Sequence, residues 1–349
     1  MLEQTIARIQ DLDQKALAAA TARQNTLTKP PGSLGRLEEL SIQLAGVSGK
    51  PIPSIKDKVI ITMAGDHGIV AEGVSAYPQE VTPQMVLNFL YGGAAINALA
   101  GHVGARIVVV DMGVAADMEP HPSLVIKKIA HGTANMAQGP AMTRQQAESA
   151  LVAGIEIITA EIEKGLDIVG TGDMGIGNTT PSAAIAAVLT GEAPAKIAGR
   201  GTGVDDDGLK RKIDAIERSI AVNQPDPKDG LDVLAKVGGF EIAGLAGVIL
   251  GAAAHGKAVM VDGFISAAAA MIAVAIAPKV KTYLIAAHRS QEYGHGLILE
   301  WLGLNPLLDF DLRLGEGTGA ALGISIAEAA CKVLAEMATF AEAGVSDKE

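Results

Sequence analysis

Residues 168–181 read Ile-Val-Gly-Thr-Gly-Asp-Met-Gly-Ile-Gly-Asn-Thr-Thr-Pro. Two β-branched residues lead into a run broken by four glycines, and the run ends on a Thr-Pro step. The pattern predicts a short strand at Ile168–Val169 and a Gly-rich loop over 170–178. A helix then follows, with Thr180 as its cap and Pro181 as its first residue. Strand, glycine loop and helix in that order form the repeating unit of a parallel α/β sheet. The spacing is neither GxxxxGK[ST] nor a clean GxGxxG, so neither a nucleoside triphosphate site nor a dinucleotide fold follows. Unpaired amides at a helix start do attract anions, and a monophosphate is the modest inference.

Working outward, similar units flank this one. Strand candidates are Val59–Met63, Arg106–Val110, Ala258–Val261, Tyr283–Ala286 and Leu307–Leu312, six in all with Ile168–Val169. Most are continuous apolar runs, as expected of strands covered by helices on both faces. Gly and polar residues collect where they end: 64–68, 111–113, 170–178, 262–264, 287–290 and 315–319. In an open α/β sheet the ligand lies beyond the carboxyl ends of the strands, so these segments are expected to face one crevice. Residues 2–24 and 34–47 have helical spacing, separated by the Lys29-Pro30-Pro31-Gly32 break, and 320–343 has helical composition. The expected organisation is a large α/β catalytic domain over 51–319 and a small helical domain built from 1–50 and 320–349.

The 349 residues are 49% hydrophobic and 19% charged, which excludes a disordered chain. Aromatics are 3%, so Ala, Val, Ile and Leu must fill the core. The net charge of −11 comes without an extended basic patch of the kind that neutralises nucleic-acid phosphates, which argues against a nucleic-acid partner. Cys331 stands alone in a helical stretch and reads as a small buried residue. The most apolar tract, 265–277, is too short to span a bilayer, and the N-terminus has no apolar signal core. No membrane span and a cytoplasmic location are expected.

Three segments could carry chemistry besides 170–180. In Leu314-Gly315-Glu316-Gly317-Thr318-Gly319 a lone carboxylate sits among glycines. A crevice closing over it would desolvate Glu316 and raise its pKa toward that of a general base; an exposed turn is the equal alternative. Asp205-Asp206-Asp207 precedes Lys210-Arg211-Lys212, which reads as a helix start complementing its dipole rather than a metal site, with the lysines on a solvated face. The seven histidines form no metal-binding spacing, although His67 and His288 fall on crevice loops. Ser290 lacks the context of a nucleophile.

Taken together, KPPGSLGRLEEL (29–40), AGDHG (64–68), YPQEVTPQMVLNFLYGGAAIN (77–97), DMGV (111–114), GTGDMGIGNTT (170–180), GRGTGVDDDGLKRK (199–212), VDGFISAAAA (261–270), AHRSQEYGH (287–295) and LRLGEGTGAALG (312–323) resemble the nicotinate-nucleotide–dimethylbenzimidazole phosphoribosyltransferases. The likeness runs through nearly the whole chain. It implies a parallel six-stranded Rossmann-like sheet with a helical domain from both termini, and a homodimer whose partner subunit helps wall the site. It also implies transfer of phosphoribose from nicotinate mononucleotide to 5,6-dimethylbenzimidazole, with no cofactor and no metal. Carried over by the motifs, Glu316 is the catalytic base and Asp173 stands where the family commonly has Glu. Gly175, Gly177 and Asn178, with Lys212 and Ser290, bind the substrate's phosphate, Thr179 and Gly315 also contact substrate, and Gln84 and Met85 belong to the aromatic pocket. A dinucleotide-dependent oxidoreductase and a non-catalytic nucleotide-binding module are the alternatives at this stage.

Overall fold

The computed structural model describes residues 1–201 and 203–346. Thr202 of the 199–212 segment, and 347–349 of the expected terminal unit, lie outside the described residues. Three helices open the chain: α1 (Leu2–Ala7), α2 (Gln14–Thr26) and α3 (Arg36–Ser48). Six strands then form one sheet: β1 (Lys58–Gly65), β2 (Arg106–Gly113), β3 (Leu124–Ile126), β4 (Ile168–Met174), β5 (Ala258–Val261) and β6 (Leu284–Ala286). Their order is β3-β2-β1-β4-β5-β6, and every neighbouring pair is parallel. β1, β4 and β5 are buried along almost their whole length, as strands between two helical layers should be; β1 and β5 are apolar runs, and β4 reaches the same burial with glycines at 170 and 172.

The chain winds from β1 to β3 in one direction and from β4 to β6 in the other. The reversal falls between β1 and β4, which opens a crevice at their carboxyl ends. α4 (Val81–Leu90) and α5 (Ala95–Val103) join β1 to β2, and α6 (Arg144–Glu163) joins β3 to β4. α7 (Thr179–Thr190), α8 (Asp206–Asn223), α9 (Gly230–Val237) and α10 (Phe240–Ala254) lie between β4 and β5; α11 (Phe264–Ile276) joins β5 to β6. α12 (His295–Leu302), α13 (Thr318–Glu336) and α14 (Phe340–Ala343) close the chain. α10 packs on α6, α11 and the sheet, and α13 packs on the sheet with α3 and α5.

Several expectations change. β4 runs on through Gly170-Thr171-Gly172-Asp173-Met174, so half of the expected loop is strand. Leu307–Leu312 is not a strand: only Leu308 bridges to His288, and Asp311 turns to φ 56°. The sixth strand is instead β3, too short to show a period. α7 starts at Thr179 after Asn178, so Pro181 is its third residue rather than its first. The helical spacing over 2–24 is split between α1 and α2.

Two apolar stretches are long enough by composition to cross a membrane, Val81–Val103 and Thr318–Glu336. The first is two helices parted by Tyr91–Ala94, and the second is α13, packed between the sheet and α3. The chain ends do meet: Arg23 Nε donates to Leu334 O at 2.6 Å and Thr28 N to Ala338 O at 3.0 Å. α13 nevertheless begins at 318 and lies against β1, β4 and β5 before reaching α2 and α3.

Candidate active site

The turn that delivers Glu316 has an unusual backbone. Gly315, Glu316 and Gly317 adopt φ of 83°, 65° and 95°, three left-handed residues in succession. A side chain in that region costs about 1–2 kcal/mol, so the surroundings must hold Glu316 in place. Glu316 N donates to Asp173 O at 3.2 Å, and Thr62 Oγ1 donates to Glu316 O at 2.9 Å. Gly317 N and Ala320 N donate to the two carboxylate oxygens of Asp262, at 3.1 and 2.8 Å. The turn lies flat on β4 because position 172 is glycine; a Cβ there would sit 2.3 Å from Glu316 O.

The Glu316 carboxyl is thereby buried, 4% exposed, with one long hydrogen bond from Ile96 N at 3.3 Å. Burial raises its pKa above the ordinary carboxylate value. The Ile96 bond opposes that shift and the Asp262 charge adds to it. The desolvated reading of this glutamate is the one the structure supports.

Asp173 faces it at the end of β4. Its pKa is raised well above the usual value by burial, then by the nearby acids Asp262 and Glu241; the Asn178 amide opposes the rise, and Glu316 adds to it. Asn178 Nδ2 donates to Oδ2 at 2.9 Å, and Oδ1 has no partner. Asn178 spends its side chain on this contact, so the start of α7 has no side-chain cap. That end opens into the cavity with its dipole: Thr180 N and Ser182 N are already bonded to Gly177 O and Asn178 O and Pro181 has no N–H, which leaves the Thr179 amide for a ligand.

The cavity measures about 670 Å³ and is bounded by Asp173, Gly175, Asn178, Thr179, Ser290, Gly315 and Glu316. Its apolar side is built by Tyr77, Val81 and Met85 around α4 and by Phe264 and Leu314. Of the residues expected here, Gln84 is exposed and lies outside the wall, Gly177 turns the chain behind it, and Lys212 stands one shell back. Lys212 is not on a solvated face. It is 1% exposed, donating Nζ to Thr179 Oγ1 at 2.6 Å and to Gly199 O at 3.2 Å. Burial pulls its pKa down to about 8, with Glu292 opposing the drop. The 205–207 run is a helix start as expected, with Asp205 capping α8 by accepting from Gly208 N.

Other charged groups escaped the sequence reading. His67 Nε2 and Glu241 Oε1 form a buried pair at 2.7 Å, although 174 residues apart. Burial alone would lower His67, but Glu241 and Asp66 outweigh it and raise its pKa. The pair lies behind the cavity rather than in its wall, unlike His288. His295 Nδ1 accepts from Ser290 N at 2.8 Å, and burial pushes its pKa to about 3, so it is neutral. Cys331 is buried and its thiol is pushed up to about 12, consistent with an inert core residue. Of the six glycine-rich strand ends, those at 64–68 and 111–113 do not border this cavity.

A doubly wound parallel sheet whose crevice sets an anion-attracting helix start opposite a desolvated carboxylate defines a group-transfer enzyme for a small phosphorylated substrate. The family model described as Phosphoribosyltransferase matches residues 9–345. The chain is 61% identical over 348 residues to the nicotinate-nucleotide–dimethylbenzimidazole phosphoribosyltransferase of Roseiflexus sp. (strain RS-1), covering 100% of this chain and 99% of that relative. It is 59% identical over 349 residues to the enzyme of the same name from Chloroflexus aggregans (strain MD-66 / DSM 9485), with the same coverage. The crystal structure of the Thermus thermophilus enzyme of that name superposes with a TM-score of 0.92 at 47% identity, covering 97% of this chain and 100% of that one. The chain belongs to this phosphoribosyltransferase family.

Proposed function

We propose that the protein transfers the 5-phosphoribosyl group of nicotinate mononucleotide to 5,6-dimethylbenzimidazole. The products are α-ribazole 5′-phosphate, the nucleotide of the cobalamin lower ligand, and nicotinate. The observation that carries this reading is Glu316, a buried carboxylate with raised pKa and one weak hydrogen bond, at the edge of a cavity with an anion-attracting helix start. The pyridine nitrogen of the donor is cationic and departs neutral, so no general acid is required. The benzimidazole attacks through one ring nitrogen and carries a proton on the other. Glu316 takes that proton, which leaves a neutral product ring. Attack opposite the leaving group converts the β anomer to α. A base so placed contributes about 10²–10⁴-fold, and alignment of two flat rings and one ribose supplies more.

Gly175, Asn178 and Thr179 take the phosphate at the start of α7, with Lys212 behind Thr179 and Ser290 across the cavity. Asp173, with its free Oδ1, hydrogen-bonds the substrate beside the base. Met85 belongs to the apolar pocket of the incoming ring. α4 exposes Leu87, 41% exposed, and the residue that ends it, Tyr91, is 77% exposed; Tyr77, four residues before α4, is exposed as well. A second copy of the chain covers this face, making a homodimer; light scattering of wild type against Leu87→Glu tests it, the variant being expected as monomer. The chemistry is tested by product analysis: nicotinate is released only when a benzimidazole is present. Tight binding of nicotinate mononucleotide without turnover would leave a binding module instead.

A further inference from the structure

α13 starts two residues after Glu316, and its N-cap, Gly317, has no side chain to offer the first-turn amides. The acceptor comes from another strand. Asp262, the residue after β5, is 1% exposed and places Oδ2 3.1 Å from Gly317 N and Oδ1 2.8 Å from Ala320 N. Its own amide donates to Thr171 Oγ1 at 3.3 Å, which ties it to β4. His288 Nε2 lies 3.8 Å from Oδ1. One residue therefore links four elements: its amide reaches β4, and its carboxylate reaches the turn that carries Glu316 and lies beside His288 at the β6 exit.

We propose that Asp262 is the positioning residue of Glu316: it clamps the left-handed 315–317 turn through the start of α13 and so holds the glutamate at the cavity edge with a negative charge beside it. The proposal rests on the assignment of Glu316 as the base. Burial pushes the Asp262 pKa up, and His288 together with the backbone N–H groups of the first turn opposes that rise. The helix dipole adds to the opposition, because it favours negative charge at this end. The Asp262 charge in turn disfavours ionisation of Glu316 and of Asp173. The charged and titratable groups around this turn are Asp173 at the end of β4, Asp262 and His288 at the exits of β5 and β6, and Glu241 of α10, which acts on Asp173. From α5 only the Ile96 amide reaches the carboxylate.

The test compares Asp262→Asn with wild type in kcat, KM and pH profile. Asn keeps the shape but loses the charge and one acceptor. kcat is expected to fall about tenfold or more, with KM for nicotinate mononucleotide changed less than about threefold. The acidic limb of the profile, where the base is protonated, should move to lower pH because the charge that raised it is gone. A purely structural role would lower the melting temperature and leave the limb in place, and that result overturns the proposal, as does wild-type kcat. If Asp262→Asn does not fold, Thr171→Val is read instead. It is isosteric and outside the cavity wall, and it is expected to cost kcat about two- to fivefold at constant KM; wild-type kcat in that variant overturns the proposal. Glu316→Gln is measured alongside. Full turnover there sinks the base assignment itself. Collapse there with an unaffected Asp262→Asn sinks only the role given to Asp262.

Discussion

The carboxyl edge of the sheet carries buried acids in both halves, and the two halves use them differently. At the ends of β1 and β2, Asp66 Oδ2 accepts from Ala115 N and Asp111 Oδ1 from Val114 N, each at 2.8 Å. Lys128 lies 3.4 Å from Asp111, and His67 stands next to Asp66. At the end of β4, Asp173 accepts no backbone N–H, and every charge that raises it belongs to another acid. Glu316 has one bond at 3.3 Å. The first half is closed by its own backbone and by α10, whereas the second half borders the open cavity. The difference separates Asp66, Asp111 and, in the second half, Asp262, which accept backbone N–H groups of loops and a helix start, from Asp173 and Glu316, which border the cavity, a division that residue type alone does not reveal.

The sharpest way to break this comparison is Glu316→Gln. Steady-state assay should show kcat reduced about 10²–10⁴-fold with KM nearly unchanged. The wild-type rate should rise with pH through the elevated Glu316 pKa, and the variant should lose that rise. Next come Asp111→Asn and Asp173→Asn, measured by thermal or urea unfolding. Asp111→Asn loses the pair with Lys128 but also sheds a carboxylate whose pKa burial raises, and because the two oppose each other stability should change by less than about 1 kcal/mol. Asp173→Asn removes a buried acid with no cation and should stabilise by about 1 kcal/mol while lowering activity. The sign follows from linkage. A carboxyl whose folded pKa is raised loses native stability as pH climbs from its unfolded value through the folded one, so the gain in the Asn variant should grow over that window.

Lys212 gives a smaller, pH-gated effect. In the free enzyme it loses its proton near pH 8. Affinity for nicotinate mononucleotide should therefore fall between about pH 7 and 9 in calorimetric titrations, and Lys212→Met should weaken binding and flatten that slope. The smallest effect separates two neighbours on α4. Met85→Ala should raise KM for the benzimidazole a few-fold, about 1 kcal/mol of lost apolar contact, and Gln84→Ala should change little.

Much of this was legible in the chain. Continuous apolar runs followed by glycine or polar residues marked β1, β2, β5 and β6 within a few residues, because strands buried on both faces have nothing polar to interrupt them. Leu307–Leu312 read as a strand because its apolar residues alternate, and it does run beside the β6 exit, with Leu307 N and Leu308 N donating to Ala286 O and Ala287 O, but only Leu308 pairs in register, with His288. β3 follows Pro120 and Pro122 and is three residues long, below what any period can show. The glycines of 170–172 read as loop because nothing local announces that a distant turn will lie on them. The loneliness of Glu316 was visible among its glycines, but its clamp, Asp262, is 54 positions away, and the His67–Glu241 contact spans 174. Such pairings are made by topology, and only the winding of the sheet brings them together.

Contact between Gly172 and the carbonyl of Glu316 has a consequence for anyone reshaping the enzyme. With a strand and a helix-bearing turn seated directly on each other, that jaw of the crevice has no room to breathe, and adding even one methyl at 172 would unseat it. Adaptability has to reside in the opposite jaw, around Tyr77, Val81 and Met85. Libraries aimed at unfamiliar heterocycles should diversify there and leave the glycine-flanked glutamate untouched.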